Sequence, residues 1–232
     1  MFRILYRPHI VPLIELYTSE GCSSCPPADQ WMSGLADQGF TSDKVIPLAF
    51  HVDYWDYIGW KDRFASPKFT DRQRQVVAAG RTRFAYTPQV LFNGIDFGDW
   101  RNRANFADAV LASQKQQSHT KLSLTLSRQS SGELLVVSTE QINADASNNA
   151  EVYFAVYENN LISSVNAGEN SGRNLSHNRV VRELYGPYPP DQHSFTLGVQ
   201  WRQRNAGIVS FVQDRETGQV LQALDRLICI TQ

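Results

Sequence analysis

A chain of 232 residues, 42% of them hydrophobic, can bury one large core or two ordinary ones without disulfide support, and two domains are the starting expectation. Its 22 Lys and Arg nearly cancel its 23 Asp and Glu with no run of like charge, which argues against a nucleic-acid or anionic-membrane partner. No apolar stretch approaches the roughly 18 residues that cross a bilayer, and three cysteines are too few for a disulfide-built scaffold.

The opening segment "MFRILYRPHIVP" carries Arg3 and Arg7, but the apolar run between them is far shorter than the 7 to 15 residues or so of a signal-peptide core, so no export signal is expected in this sequence. The run "PLIELY" (12–17) reads as a short strand. After "TSEGCSSC", the segment "PPADQWMSGLAD" (26–37) reads as a helix with Ala28, Trp31 and Leu35 on one face and Pro26 in its first turn. "KVIPLAFHV" (44–52) has the apolar density of a buried parallel strand, which completes a βαβ unit with the cysteines in its first connection.

The aromatic segment "DYWDYIGW" (53–60) precedes a second helix (66–81), capped by Ser66 and opened by Pro67. "YTPQVLFNGIDFGDW" (86–100) reads as two strands joined at Asn93-Gly94, and residues 101–117 as a helix burying Phe106, Val110 and Leu111. The order β-α-β-α-β-β-α is that of a thioredoxin fold, assigned to residues 1–118. Beyond it, six or seven alternating segments from "KLSLTLS" to "QVLQALDRLICI" predict a β-sandwich-like domain over 119–232. Cys229 falls in the last of these and reads as a small buried apolar residue. The stretch 166–187 reads as a long polar loop, whose Glu169, Asn170, Arg173, Asn174 and His177 either reach across the domain interface or stay solvated.

The chemistry concentrates on Cys22 and Cys25. A cysteine at a helix N-terminus faces unpaired amide hydrogens and the positive end of the helix dipole, which lower a thiol pKa from about 8.5 into a range of roughly 3.5 to 7.5. Cys22 is placed as nucleophile and Cys25 to resolve a mixed disulfide; Glu20 opposes a second negative charge, so only moderate acidification is expected. Pro88 precedes a strand, and a cis Thr87–Pro88 bond would set Thr87 beside the cysteines to pair with an extended substrate. Asp53 is a candidate proton acceptor, and Trp55, Tyr57 and Trp60 either line a substrate groove or pack the insertion onto the domain. A competing reading makes Cys22, Cys25 and His51 a copper site, or a zinc site with a fourth ligand. A third makes the fold an interaction scaffold with incidental cysteines.

The stretches "ELYTSEGCSSCPPAD", "HVDYWDYIGWKDRFASPKFTDRQRQ", "YTPQVLFNG" and "GENSGRNLSHNRVVREL" resemble a bacterial family of thioredoxin-like proteins of unknown function. The resemblance implies a thioredoxin-like domain followed by a β-rich one, and a periplasmic or secreted location, although the family's usual export signal is absent here and a cytoplasmic location stays open. It implies no substrate. The reading is therefore of a thiol-disulfide oxidoreductase acting on a protein or small-molecule thiol or disulfide, with no cofactor beyond the cysteine pair and no metal unless the copper alternative holds.

Overall fold

The computed structural model describes residues 2–3, 7–142, 149–203 and 205–228. After β1 (Phe2–Arg3), the core begins at β2 (Leu13–Thr18) and continues through α1 (Pro26–Ser33), β3 (Ile46–His51) and α2 (Pro67–Ala78). The hairpin β4 (Gln89–Phe92) and β5 (Ile95–Asp96) and helix α3 (Arg103–Gln114) follow. The remaining chain forms β6 (Thr120–Arg128), β7 (Leu134–Ile142), β8 (Ala150–Glu158), β9 (Leu161–Ser164), β10 (Asn174–His177), β11 (Val180–Tyr188), β12 (Gln192–Leu197), β13 (Ala206–Asp214) and β14 (Val220–Leu227).

Local chemistry explains the boundaries. Ser66 Oγ accepts from the Lys68 amide and Pro67 opens α2, while the Asn102 side chain accepts from the amides of Ala104 and Asn105 to cap α3. Asn93 and Gly94 have φ of 50° and 81°, the left-handed pair a two-residue hairpin needs. A Cβ on Gly94 would lie 2.0 Å from the Gly218 carbonyl oxygen, so no other residue fits there. In α3, Phe106, Val110 and Ser113 follow the i, i+4, i+7 line inward; Leu111, expected to be buried, falls off that line and is 52% exposed.

The expected fold class, an α/β thioredoxin-like domain followed by a β-sandwich-like one, does not hold. The protein is mostly β, with 40% of the described residues in strands and 18% in helices, and its main feature is one eight-stranded mixed sheet drawn from both halves of the chain. The strand order is β14-β13-β8-β11-β3-β2-β4-β5. The joint is β11, all but its last residue of which lies in the stretch 166–187 expected to be a loop. It runs antiparallel to β8 and parallel to β3, where Val180 faces Ala49 and the Ala49 amide donates to the Arg179 carbonyl at 2.9 Å. Filling that edge with β11 welds the two halves by backbone hydrogen bonds.

Side-chain alternation on this sheet builds three layers. Leu13 and Tyr17 of β2 point to the face where Phe50, Tyr153 and Phe211 form one core under α2, which contributes Phe69 and Val76. Ile14 and Leu16 point the other way, beneath Ala28 and Met32 of α1 and Phe106 and Val110 of α3. On that second face, farther along, Val152, Phe154 and Ile208 pack on Leu122, Leu124 and Val136 of a four-stranded sheet ordered β1-β6-β7-β12. The remaining pair, β9 and β10, forms a separate hairpin. No helix among the described residues is long and apolar enough to cross a membrane. Cys229 lies outside the described residues.

Candidate functional site

The cysteines close a disulfide, with Cα atoms 5.4 Å apart, in the turn between β2 and α1. Cys25 is the residue before α1, and its carbonyl accepts from the Ala28 amide at 2.8 Å, while Pro26 opens the helix. Both cysteines are fully buried, although Ser23 and Ser24 between them are exposed. Ser24 Oγ lies 3.3 Å from Cys22 Sγ.

What covers the disulfide comes from the second half of the chain. Asn170, itself fully buried, donates from Nδ2 to the carbonyls of Glu20 at 2.8 Å and Cys22 at 3.0 Å, and Arg173 Nη1 donates to Asn170 Oδ1. Glu169 Oε2 accepts from the Ser23 amide at 3.0 Å. Gly168, at φ +72°, lets this loop approach the 3-10 turn that follows β3: a Cβ there would sit 3.1 Å from Ile58 Cδ1 and 3.3 Å from Trp60 Cβ. Asn174 instead accepts from Ser164 Oγ within the β9–β10 hairpin.

Behind the disulfide lies a buried polar cluster. His51, at the end of β3, holds Asp62 through Nδ1 at 2.6 Å, and its ring stands edge-on to that of His177, with centroids 5.0 Å apart. His177, at the end of β10, has Nε2 3.3 Å from Glu20 Oε1 and Nδ1 3.8 Å from Asp29 Oδ1, both within ion-pair range but not aligned as hydrogen bonds. Burial opposes a charge on His177, but the carboxylates of Asp29 and Glu20 outweigh it and push its pKa up to about 9. Burial likewise works against the charge on Glu20, yet His177 and the Trp60 indole bring its pKa below the ordinary value; for Asp62, burial is outweighed by His51 and two backbone amides. The carboxylates are oriented from outside: Trp60 Nε1 donates to Glu20 at 2.8 Å, Thr18 Oγ1 to Asp29 at 2.9 Å, and the Glu20 and Phe64 amides to Asp62.

The other expected site residues fall around this centre. Thr87–Pro88 is cis, and Thr87 Oγ1 accepts from Trp55 Nε1 at 2.8 Å, while Trp55 Cβ packs where a side chain on Gly21 would be; Trp55 thus bridges the proline and the cysteine turn. Trp60 faces the cluster, and Tyr57 stands 82% exposed. Asp53 is held by Thr70 of α2 at 2.5 Å. Among the described residues, the one group of three possible metal ligands is Asp29, His51 and His177, which shares only His51 with the expected set of Cys22, Cys25 and His51. In the disulfide the two sulfurs are bonded to each other and offer no thiolate. Sequence reasoning missed Asp29 and Asp62. Asp29 carried one usable signal, its spacing four residues after Cys25, which places it on the same face of α1.

Comparison with known proteins gives a family but no activity. A model of a family described as "Protein of unknown function (DUF1223)" matches residues 13–213. The chain belongs to that family. No curated protein matches. Among solved structures, the chain is similar to protein AGR_C_4864 from Agrobacterium tumefaciens, a crystal structure, at 24% identity and a TM-score of 0.67, covering 97% of this chain and 98% of that one. It is also similar to HBP35 of Porphyromonas gingivalis at 11% identity and a TM-score of 0.70, covering 95% and 76% respectively. At these identities the likeness concerns the fold alone.

Proposed function

We propose that the protein carries out thiol-disulfide exchange through Cys22 and Cys25. The observation that carries this reading is the closed disulfide in the turn that opens α1, at the contact between the two halves of the chain, beside a cluster of buried carboxylates and imidazoles. In the reductive direction a substrate thiolate attacks Cys22 Sγ, the Cys22–Cys25 bond breaks, and Cys25 leaves as a thiolate that takes up a proton. A second substrate thiol, deprotonated, then attacks the substrate sulfur of the mixed disulfide, releasing substrate disulfide and leaving both cysteines reduced; the oxidative direction is the reverse. Two electrons and two protons are exchanged, and no cofactor besides the cysteine pair is needed. Thr87 and Pro88, tied to the cysteine turn by Trp55, form the rim against which a substrate strand would rest. Asp53, on Thr70, is in this reading the proton acceptor for Cys25 in the oxidative direction.

The test is capture of a mixed disulfide. Cys25→Ser, incubated with glutathione disulfide, should gain one glutathione on Cys22 and hold it, whereas Cys22→Ser should react far more slowly. Equal capture by both variants, or capture by neither, contradicts the assignment.

A further inference from the structure

We propose that Asp29, His51 and His177 form a binding site for one divalent first-row transition cation, with two imidazole nitrogens and one carboxylate oxygen as ligands. The site is independent of the exchange reaction proposed above, since neither cysteine is a ligand.

Three ligand atoms from α1, β3 and β10 lie within 4.8 Å of one another, and all three side chains are buried. Each imidazole uses one nitrogen outward and leaves one inward. His51 Nδ1 binds Asp62, and its Nε2, fully buried, has no hydrogen-bond partner among the described residues. His177 Nε2 faces Glu20 at 3.3 Å and its Nδ1 faces Asp29 Oδ1 at 3.8 Å, ion pairs that are not aligned as hydrogen bonds. A buried nitrogen without a partner is costly, as at His51 Nε2, and the proton that His177 turns toward Asp29 is the one an incoming cation would displace. Asp29 is set in place from behind, with Thr18 on its second oxygen. A carboxylate on the outer nitrogen of each ring, Asp62 for His51 and Glu20 for His177, is the arrangement by which proteins orient and polarise histidine ligands around a metal.

The donor set decides the class of ion. Two imidazoles and one carboxylate suit zinc, iron, nickel or copper, whereas calcium and magnesium want all-oxygen shells. A tetrahedral ion with bonds of about 2.0–2.1 Å holds its ligands ~3.4 Å apart, so modest side-chain rotations bring the group to bonding distance. A mononuclear ion with three protein ligands keeps a position open for a water or another small molecule. Since the ligands stand at positions 29, 51 and 177, the ion would also clip the β9–β10 hairpin to the turn that carries the disulfide.

The experiment is zinc titration of the oxidised full chain against a chromophoric chelator, repeated with cobalt(II) for its visible spectrum. The expected result is one equivalent of zinc and a cobalt spectrum of mixed nitrogen and oxygen coordination. His51→Ala, His177→Gln and Asp29→Asn should each weaken zinc at least 100-fold, and Asp62→Asn by about 10–100-fold. The Cys22→Ser/Cys25→Ser double variant should bind as the parent does. Absence of stoichiometric binding by the parent chain, a sulfur-to-cobalt charge-transfer band, or loss of zinc only in the cysteine double variant overturns the proposal. The parent titration and spectrum need no variant, so a substitution that fails to fold does not blunt the test.

Discussion

Two buried ionic clusters tie the halves of this molecule together, and they are built to different rules. In one, Arg72 of α2 grips Glu15 of β2 with Nε at 2.6 Å and Nη2 at 2.9 Å, reaches Gln213 of β13 at 3.2 Å, and stacks over Tyr153 and Phe211; Tyr17 adds a hydroxyl to Glu15 at 3.0 Å. Both carboxylate oxygens of Glu15 are answered there, and the Coulombic attraction of Glu15 holds Arg72 protonated against burial. In the other, beside the disulfide, His177 meets Glu20 and Asp29 only as ion pairs at 3.3 and 3.8 Å that are not aligned as hydrogen bonds, and His51 Nε2 has no hydrogen-bond partner among the described residues. A fold needs its buried charges satisfied; a site needs some of them left over. The contrast separates the cluster that holds the structure from the one we propose as a cation site.

The comparison breaks most visibly at Arg72. Arg72→Met strands a buried carboxylate and should cost about 3–5 kcal/mol, roughly 6–20 °C in Tm, by thermal unfolding. Pairing it with Glu15→Leu should recover much of that loss, because two apolar residues need no partners. Zinc at ~100 times its Kd should next add about 2.7 kcal/mol, roughly 5–11 °C in Tm, to the parent and to Arg72→Met alike, and less than about 0.4 kcal/mol to His177→Gln. Asn170→Ala removes two hydrogen bonds over the cysteine turn; about 1–3 kcal/mol and a faster reduction by dithiothreitol are expected. Glu169→Ala, at an exposed carboxylate, should leave Tm unchanged and speed that reduction only slightly.

Why some of this was legible in the sequence and some was not follows from how each signal is carried. Caps at Ser66 and Asn102, prolines at positions 26 and 67, and the Asn93-Gly94 turn act over a few residues, so the elements between residues 13 and 114 stand close to where periodicity put them. Strand β11 is different. Only Val180 and Val181 are buried in it, the rest being half-buried or exposed, so it shows no alternation and reads as loop; what makes it a strand is the pairing with β3 and β8, which is long-range. Missing β11 hid the single sheet and with it the fold class.

The site shows the same division. The C-x-x-C spacing announced the disulfide, but its burial depends on Asn170, almost 150 residues away. His51 was a candidate ligand from its place at a strand end. Its companions emerge only once β10 lays His177 beside it and α1 turns Asp29 inward.

The most direct test of the central claim is the redox equilibrium of the chelated, full-length chain across a series of glutathione buffers, read by thiol labelling and intact mass. The account predicts a single reversible transition in which two thiols form or vanish together, at a definite potential, with the Cys22→Ser/Cys25→Ser double variant showing none. A disulfide that stays closed across the whole series would make Cys22–Cys25 a structural staple and contradict the exchange reading.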